Sequence, residues 1–365
     1  MKTLAAIMVL LLVLASCSST TPSDTLTLGS ILILSGEGSA WGAAEQHGID
    51  MAVAEINAQG GILGKRVNVI HQDDVADAKK ALSAFGHLVD TQGVKFIIGT
   101  TWSRSGLALV DPAKDKGVVM ISPSLGVKDF NEAHELMFNT WPHDFILSRV
   151  LADHVFAKGH RNVALIGAQE VWVKDQTTAF VERFEELGGS IVVLVEPLPT
   201  DTVVSTEVLK IVDAHKRGAI DAIVSTTDGV LVGTLVAKGL VAHKVKLPLY
   251  SITIDQATID AADGAYEGME FLTSLTPDPA FEARYNDAFG IPIDIGADSA
   301  YDAVMMLAES MRATKSTDTH VVATHLRALK NYDGMSGTLV SDSKGGFTKD
   351  FAFKKIVDGK AIDLA

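Results

Sequence analysis

The chain is 365 residues long, 47% hydrophobic and 21% charged, which is room for two domains of ordinary size and too apolar for bulk disorder. Its formal net charge of −14 argues against nucleic acid or an anionic membrane surface as a partner recognised through a basic patch. Eleven histidines without HExxH spacing and one cysteine give no metal motif and no intrachain disulfide, so no cofactor is expected.

Lys2 precedes an apolar run, Leu4 to Leu14. That run is short of the roughly 20 residues needed to span a bilayer and suits a signal-peptide core. Leu14-Ala15-Ser16-Cys17 resembles the bacterial lipobox, whose cysteine is lipidated and becomes the first mature residue. The competing reading is a plain secretory signal with an incidental cysteine, and the avoidance of cysteine elsewhere favours the lipobox. Residues 1–16 are then a lipoprotein signal peptide and 17–25 a polar tether. The expected product is an exported lipoprotein facing the periplasm or cell exterior, held to the membrane by its lipid anchor alone.

Leu26–Ile33 reads as a strand and Ser35–Gly42 as the loop at its carboxyl end. Ile49, Ala52, Val53 and Ile56 then mark an amphipathic helix over Ala43–Asn57, stopped by Gly60-Gly61. Strands follow at Val67–Ile70, Val94–Ile98 and Gly117–Ile121, with helices at Ala78–Thr91 and Leu107–Lys116. Thr100–Gly106 and Ser122–Gly126 are both loops rich in hydroxyls and glycine, placed at the sheet edge where ligands bind in parallel α/β folds. Ser103 and Ser124 beside a helix start can cradle a carboxylate. The same two serines also suit plain N-cap and turn roles.

The pattern pauses at Phe138–Asp144 and begins again. Strands at Asn162–Ile166, Ser190–Val195, Asp221–Ser225 and Leu247–Ile252 alternate with helices near Thr177–Leu187, Thr206–Lys216, Val230–Gly239 and Gln256–Ala262. Three helical stretches follow, Ala280–Phe289, Asp298–Ala313 and His320–Lys330, and then a hairpin-like unit from Ser336–Val340 and Phe351–Val357. This order predicts an α/β chain of two doubly wound parallel-sheet lobes. The late helices return to the first lobe, so the lobes are joined by a three-stranded hinge. Lobe 1 is expected over 26–142 plus 275–335, and lobe 2 over 143–274 plus 336–365.

Ser35-Gly36, Trp41-Gly42, the run Ala54 to Lys65, Asp73-Asp74, Ile98-Gly99, Ile121–Ser124, Tyr301-Asp302-Ala303 and Leu329–Gly337 fall in an order that resembles the type I periplasmic-binding proteins. The nearest branch is the leucine/isoleucine/valine-binding proteins of ABC importers, and the similarity runs from about Leu26 to the end. The resemblance implies a Venus-flytrap receptor that closes on a small ligand by hinge motion and passes it to an ABC permease with its ATPase. It implies that Ser103 and Ser124 hold the ligand's α-carboxylate, with Leu125 and Gly126 at the adjoining positions. Trp41 and Trp172 match two tyrosines flanking the side-chain pocket, one from each lobe. Asp228 falls in a loop that usually carries an aromatic, and Asp255, or Thr253, lies near the acid that receives the α-ammonium. Gly126 departs from the threonine of many amino-acid binders, and tryptophan at the tyrosine positions widens the choice to a planar acid or a cation against ring faces. An amino acid or related small carboxylate is the first reading, and a small aromatic acid or amide the second.

Trp41 and Trp172 also have a core reading, since tryptophan is usually buried. Trp102 divides evenly between cleft and lobe packing, Arg104 reads as a solvated loop residue, and Asp73-Asp74 as a capping pair. A ligand sensor of the same fold remains as a second function. Catalysis is not expected, because no Gly-x-Ser-x-Gly elbow is present and the one cysteine lies in the signal segment. A DNA-binding repressor sharing the lobe fold is made remote by the export signal, the acidic charge and the absence of an N-terminal helix-turn-helix pattern.

Overall fold

The computed structural model describes residues 25–227 and 230–364. Strands β1 (Thr25–Leu32), β2 (Arg66–Asp73), β3 (Phe96–Gly99), β4 (Val119–Ser122) and β5 (Met137–Asn139) form an all-parallel sheet in the order β2-β1-β3-β4-β5. β3, β4 and β5 are buried along their whole length, as parallel strands covered on both faces must be. The helices between them are α1 (Ser39–Ala58), α2 (Ala78–Gly86, prolonged by a π-turn over His87–Thr91), α3 (Ser103–Lys116) and the short α4 (Lys128–Asn131).

A second sheet is built from β6 (Asn162–Ile166), β7 (Ser190–Val195), β8 (Ala222–Ser225), β9 (Leu249–Ile252) and β10 (Glu270–Thr273). Its helices are α5 (Asp144–Ala157), α6 (Val171–Glu186), α7 (Ser205–Lys216), α8 (Leu231–Ala242) and α9 (Gln256–Ala261). The chain then returns through α10 (Pro279–Phe289), α11 (Ala297–Thr314) and α12 (Thr319–Ala328), with α11 lying along α1. A small antiparallel sheet of β11 (Asn331–Gly334), β12 (Gly337–Ser341) and β13 (Phe347–Thr348) touches β5 through a bridge from Asn139 to Gly346. Finally β14 (Ala352–Val357) and β15 (Lys360–Asp363) join the second sheet, whose order is β15-β14-β10-β9-β8-β6-β7.

The expected alternation and the two sheets are present, with four differences. α5 follows the pause at Phe138–Asp144, in a stretch where no element is expected from the sequence, because Trp141-Pro142 obscures the start of its apolar period. α3 and α6 begin at Ser103 and Val171, ahead of Leu107 and Thr177, since their first turns face a cleft and carry no core-facing pattern. The terminal hairpin does not form. Gly337–Ser341 pairs with β11 and β13, whereas Ala352–Val357 pairs antiparallel with β10 and β15, so the second sheet is parallel except at that edge. Residues 336–348 therefore associate with β5 and not with the second sheet where 336–365 was expected.

The chain passes between the two sheets three times, near 140–143, 274–278 and 349–351. Lys349, on the third passage, donates to Asp298 at 2.8 Å and to Ser299 Oγ at 3.0 Å at the start of α11, and its ammonium lies 5.8 Å from the Trp141 ring on the first passage. Thr140 Oγ1 donates to the Ser299 carbonyl at 3.0 Å. Both charged side chains of the Lys349–Asp298 pair are 0% exposed. Such a pair costs desolvation to form, but removing one partner strands the other. Lys349→Met is therefore expected to lose about 3–5 kcal/mol in chemical denaturation, much of it recovered in Lys349→Met/Asp298→Leu. Wild-type stability in the single variant would show that the pair does not hold the crossing.

Candidate functional site

One enclosed cavity gathers side chains from both sheets. Trp41 comes from the first turn of α1; Thr101, Trp102 and Ser103 from the approach to α3; and Ser124 and Gly126 from the loop after β4. Trp141 belongs to the first crossing, Asp144 to the first turn of α5 and Trp172 to the first turn of α6. All four tryptophans of the chain face this space. The cavity volume is about 20 Å³, room for about one water molecule. Admitting a ligand of amino-acid size therefore requires the walls to part.

The rings of Trp102 and Trp172 lie 6.5 Å apart at 48°, and each has a buried indole N–H without a partner among the described residues. Gly38, at φ 84°, lets the loop before α1 lie against Trp102, where a Cβ would come within 2.7 Å of the ring. α3 has no side-chain cap. The N–H groups of its first turn, beginning at Ser103, therefore lack intrahelical acceptors and form the positive end of the helix dipole. Ser103 is buried at the cavity wall, so this end of the space suits an anion.

Ser124 is committed differently. Its Oγ lies 2.5 Å from Glu45 Oε1 and 2.7 Å from the Thr101 carbonyl oxygen. A carbonyl can only accept, and a hydroxyl has one proton to donate. The Ser124 proton thus goes to Thr101, and Glu45 must supply the proton between itself and Ser124. On its other oxygen Glu45 accepts from Thr101 Oγ1 at 2.6 Å, and that hydroxyl accepts from the Ile33 N–H at 3.1 Å. Every group in this chain is satisfied only if Glu45 is a neutral acid. Burial, opposed by the Ser124 and Thr101 hydrogen bonds, pushes its carboxyl from 4.5 up to about 8, which agrees.

Asp144 is the second buried acid. Burial raises its carboxyl to about 8, against a hydrogen bond from Gln176 Nε2 at 3.3 Å to Oδ1. Oδ2 has no hydrogen-bond partner among the described residues. The carboxyl fits because residue 126 is glycine: a Cβ there would lie 2.1 Å from Asp144 Oδ1. The Asp144 N–H also donates to the Gly126 carbonyl at 2.9 Å.

Of the residues singled out from sequence, Trp41, Trp102, Ser103, Ser124, Gly126 and Trp172 converge here. Leu125 does not: its side chain is buried beside Gly106, its N–H donates to Ser122 Oγ, and its carbonyl accepts from Asn139. Asp255 caps α9 by accepting from the Thr258 N–H and lines a neighbouring hollow beyond Trp41 and Trp102. Asp228 and Cys17 lie outside the described residues. Arg104 is paired with Glu170, the N-cap of α6, instead of being free in solvent. Asp73 accepts from the Leu34 and Val75 N–H groups and from Ser35 Oγ, so it clamps loops, while the cap of α2 is Asp77 and not the Asp73-Asp74 pair. Sequence reasoning missed Glu45, Thr101, Trp141 and Asp144. The break in periodicity at Trp141-Pro142-His143-Asp144 was the available signal for the last two.

A family model described as "Periplasmic binding protein" matches residues 25–360. A Leu/Ile/Val-binding protein homolog 3 from Brucella melitensis biotype 1 is 26% identical over 348 residues, covering 93% of each chain. A leucine-binding protein structure from Thermotoga maritima superposes with a TM-score of 0.86 at 21% identity, covering 93% of this chain and 98% of the other. A solute-binding protein of an ABC transporter from R. palustris, solved with benzoate, gives a TM-score of 0.82 at 20% identity, with coverages of 93% and 95%. These structural likenesses establish the two-lobed fold.

The neutral Glu45 has a measurable signature. Its folded value is raised, so the folded protein binds the proton more tightly than the unfolded chain. Stability from that proton is full below the unfolded value of 4.5 and is lost as pH rises from there through about 8. Glu45→Gln keeps a donor toward Ser124 and an acceptor toward Thr101, and escapes this loss. In urea denaturation the stability difference should move in favour of the variant between about pH 5 and about pH 8. A difference that is flat across this range would contradict the assignment.

Proposed function

The chain belongs to the periplasmic binding protein family, and we propose that it is the extracytoplasmic solute-binding component of an ABC importer that closes on a small amino acid. The observation that carries this reading is the enclosed space at which the uncapped start of α3, with Ser103, meets four tryptophans. A carboxylate sits at the helix start, assisted by the free indole N–H groups of Trp102 and Trp172. The side chain lies among the rings. The names of the Brucella and Thermotoga relatives favour an amino acid. The benzoate complex of the R. palustris protein, together with the tryptophan walls, favours a small aromatic acid as the second reading. The family is one of binding proteins, and the mechanism needed is closure alone.

Sheet membership supports lobe 1 as 26–142 with 275–348 and lobe 2 as 143–274 with 349–364. Leu14-Ala15-Ser16-Cys17 supports a lipid anchor at Cys17, and among the described residues no helix is long and apolar enough to cross a membrane. Cys17→Ser should release the protein from the membrane fraction; retention after detergent-free washing would count against lipidation. A thermal-shift panel of the common amino acids and small aromatic acids tests the ligand class. A rise in Tm with aliphatic amino acids, confirmed by calorimetry, is expected, and a response confined to benzoates would establish the second reading.

A further inference from the structure

We infer that Asp144, in the room left by Gly126, is the specificity-determining acid of the cavity and receives the ammonium group of the bound amino acid. The inference rests on the amino-acid reading above and deepens it. Four observations converge. Asp144 is 4% exposed, lines the cavity, and keeps Oδ2 without a hydrogen-bond partner among the described residues. An unsatisfied buried carboxyl oxygen is costly, and a ligand that donates to it removes the cost. The absent side chain at 126 is the second observation, because any Cβ there collides with this carboxyl and would push it from its place. The glycine and the aspartate therefore form one device: the hydroxyl that a threonine would offer is replaced by a carboxyl reaching in from the other side of the cleft.

The third observation is the wall. Four tryptophans around one acid favour a cation, which gains from ring faces as well as from the carboxylate. The fourth is the engagement of the alternative acid, Asp255, as the cap of α9, outside the cavity lining. Asp144 also opens α5, where the helix dipole favours its ionised form once a cation arrives. An amine-free acid offers this oxygen no donor. The expected ligand thus runs from a carboxylate at Ser103 to an ammonium at Asp144, with its side chain among the tryptophans.

Ligand binding then has a proton signature. Burial and the nearby Asp175 on α6 keep the empty-site carboxyl protonated below about 8. Pairing with an ammonium ionises it, so binding at neutral pH releases about one proton.

The test uses calorimetry on the full chain with two matched pairs of probes, leucine with 4-methylpentanoate and phenylalanine with 3-phenylpropanoate. Wild type is expected to bind the amine-bearing member of at least one pair far more tightly and to release a proton, read from two buffers of different ionisation enthalpy. Asp144→Asn should keep its fold by circular dichroism, lose about ten- to a hundredfold in amino-acid affinity, and release no proton. Gly126→Ala should weaken the same probe, while Ser103→Ala weakens both members of a pair equally. Asp144→Asn binding the amino acid as wild type does would overturn the inference and leave the amino-acid reading standing. Wild type preferring the deaminated member overturns both the inference and the amino-acid reading, in favour of the small-acid reading. Binding of none of the four probes overturns the small-carboxylate site as a whole.

Discussion

A helix start that has no cap must find acceptors for its first N–H groups, and the site is organised around that constraint. α3, α5 and α6 all begin at the same enclosed space, and their first turns carry Ser103, Asp144 and Trp172. Two of these starts, at α3 and α5, have no side-chain cap, while Glu170 caps the third and is tied to Arg104. The positive ends of helices from both sheets thus meet where a ligand joins them. The Arg104–Glu170 pair links the starts of α3 and α6, so the groups that hold the lobes together are neighbours of the groups that line the cavity.

The same small region buries two carboxyl groups, and they have different tasks. Glu45 is enclosed by Thr101 and Ser124, both of its oxygens are satisfied, and it acts as a fixed neutral strut beneath the loop that carries the site. Asp144 has similar burial and lines the cavity, but its Oδ2 has no hydrogen-bond partner among the described residues. Burial alone does not distinguish a structural acid from a ligand-binding one. Satisfaction does: a completed hydrogen-bond network has nothing to offer a ligand, whereas an incomplete one is poised for it.

Much of the fold was legible in the sequence because parallel strands buried on both faces are continuous apolar runs and their helices keep a 3.6-residue period. Ile97, Ile98, Met120 and Ile121 illustrate the first, and Ile49, Ala52 and Ile56 the second; all are fully buried. Legibility failed where a segment serves the cleft or the hinge instead of a core. The first turns of α3 and α6 lack core periodicity, and Trp141–Asp144 combines a crossing with a helix start. Ser336–Val340 and Phe351–Val357 read as partners by proximity alone, but Lys349 lies between them with its buried ion pair and sends them to different sheets. Within the site, the hydroxyls and tryptophans were recognisable by type. Glu45 was not, because a glutamate in an amphipathic helix reads as solvated until its neighbours from α3 and β4 are known. Gly126 was read as a missing hydroxyl, and only its distance to Asp144 reveals it as room for a carboxyl.

A crystal structure with bound leucine is the most direct measurement of the central claim, that the space between the helix starts is the ligand site. The expected result places the ligand carboxylate at the first turn of α3 and its ammonium within hydrogen-bonding distance of Asp144 Oδ2. Density instead in the open groove lined by His47, Asp294 and Lys354 would contradict it.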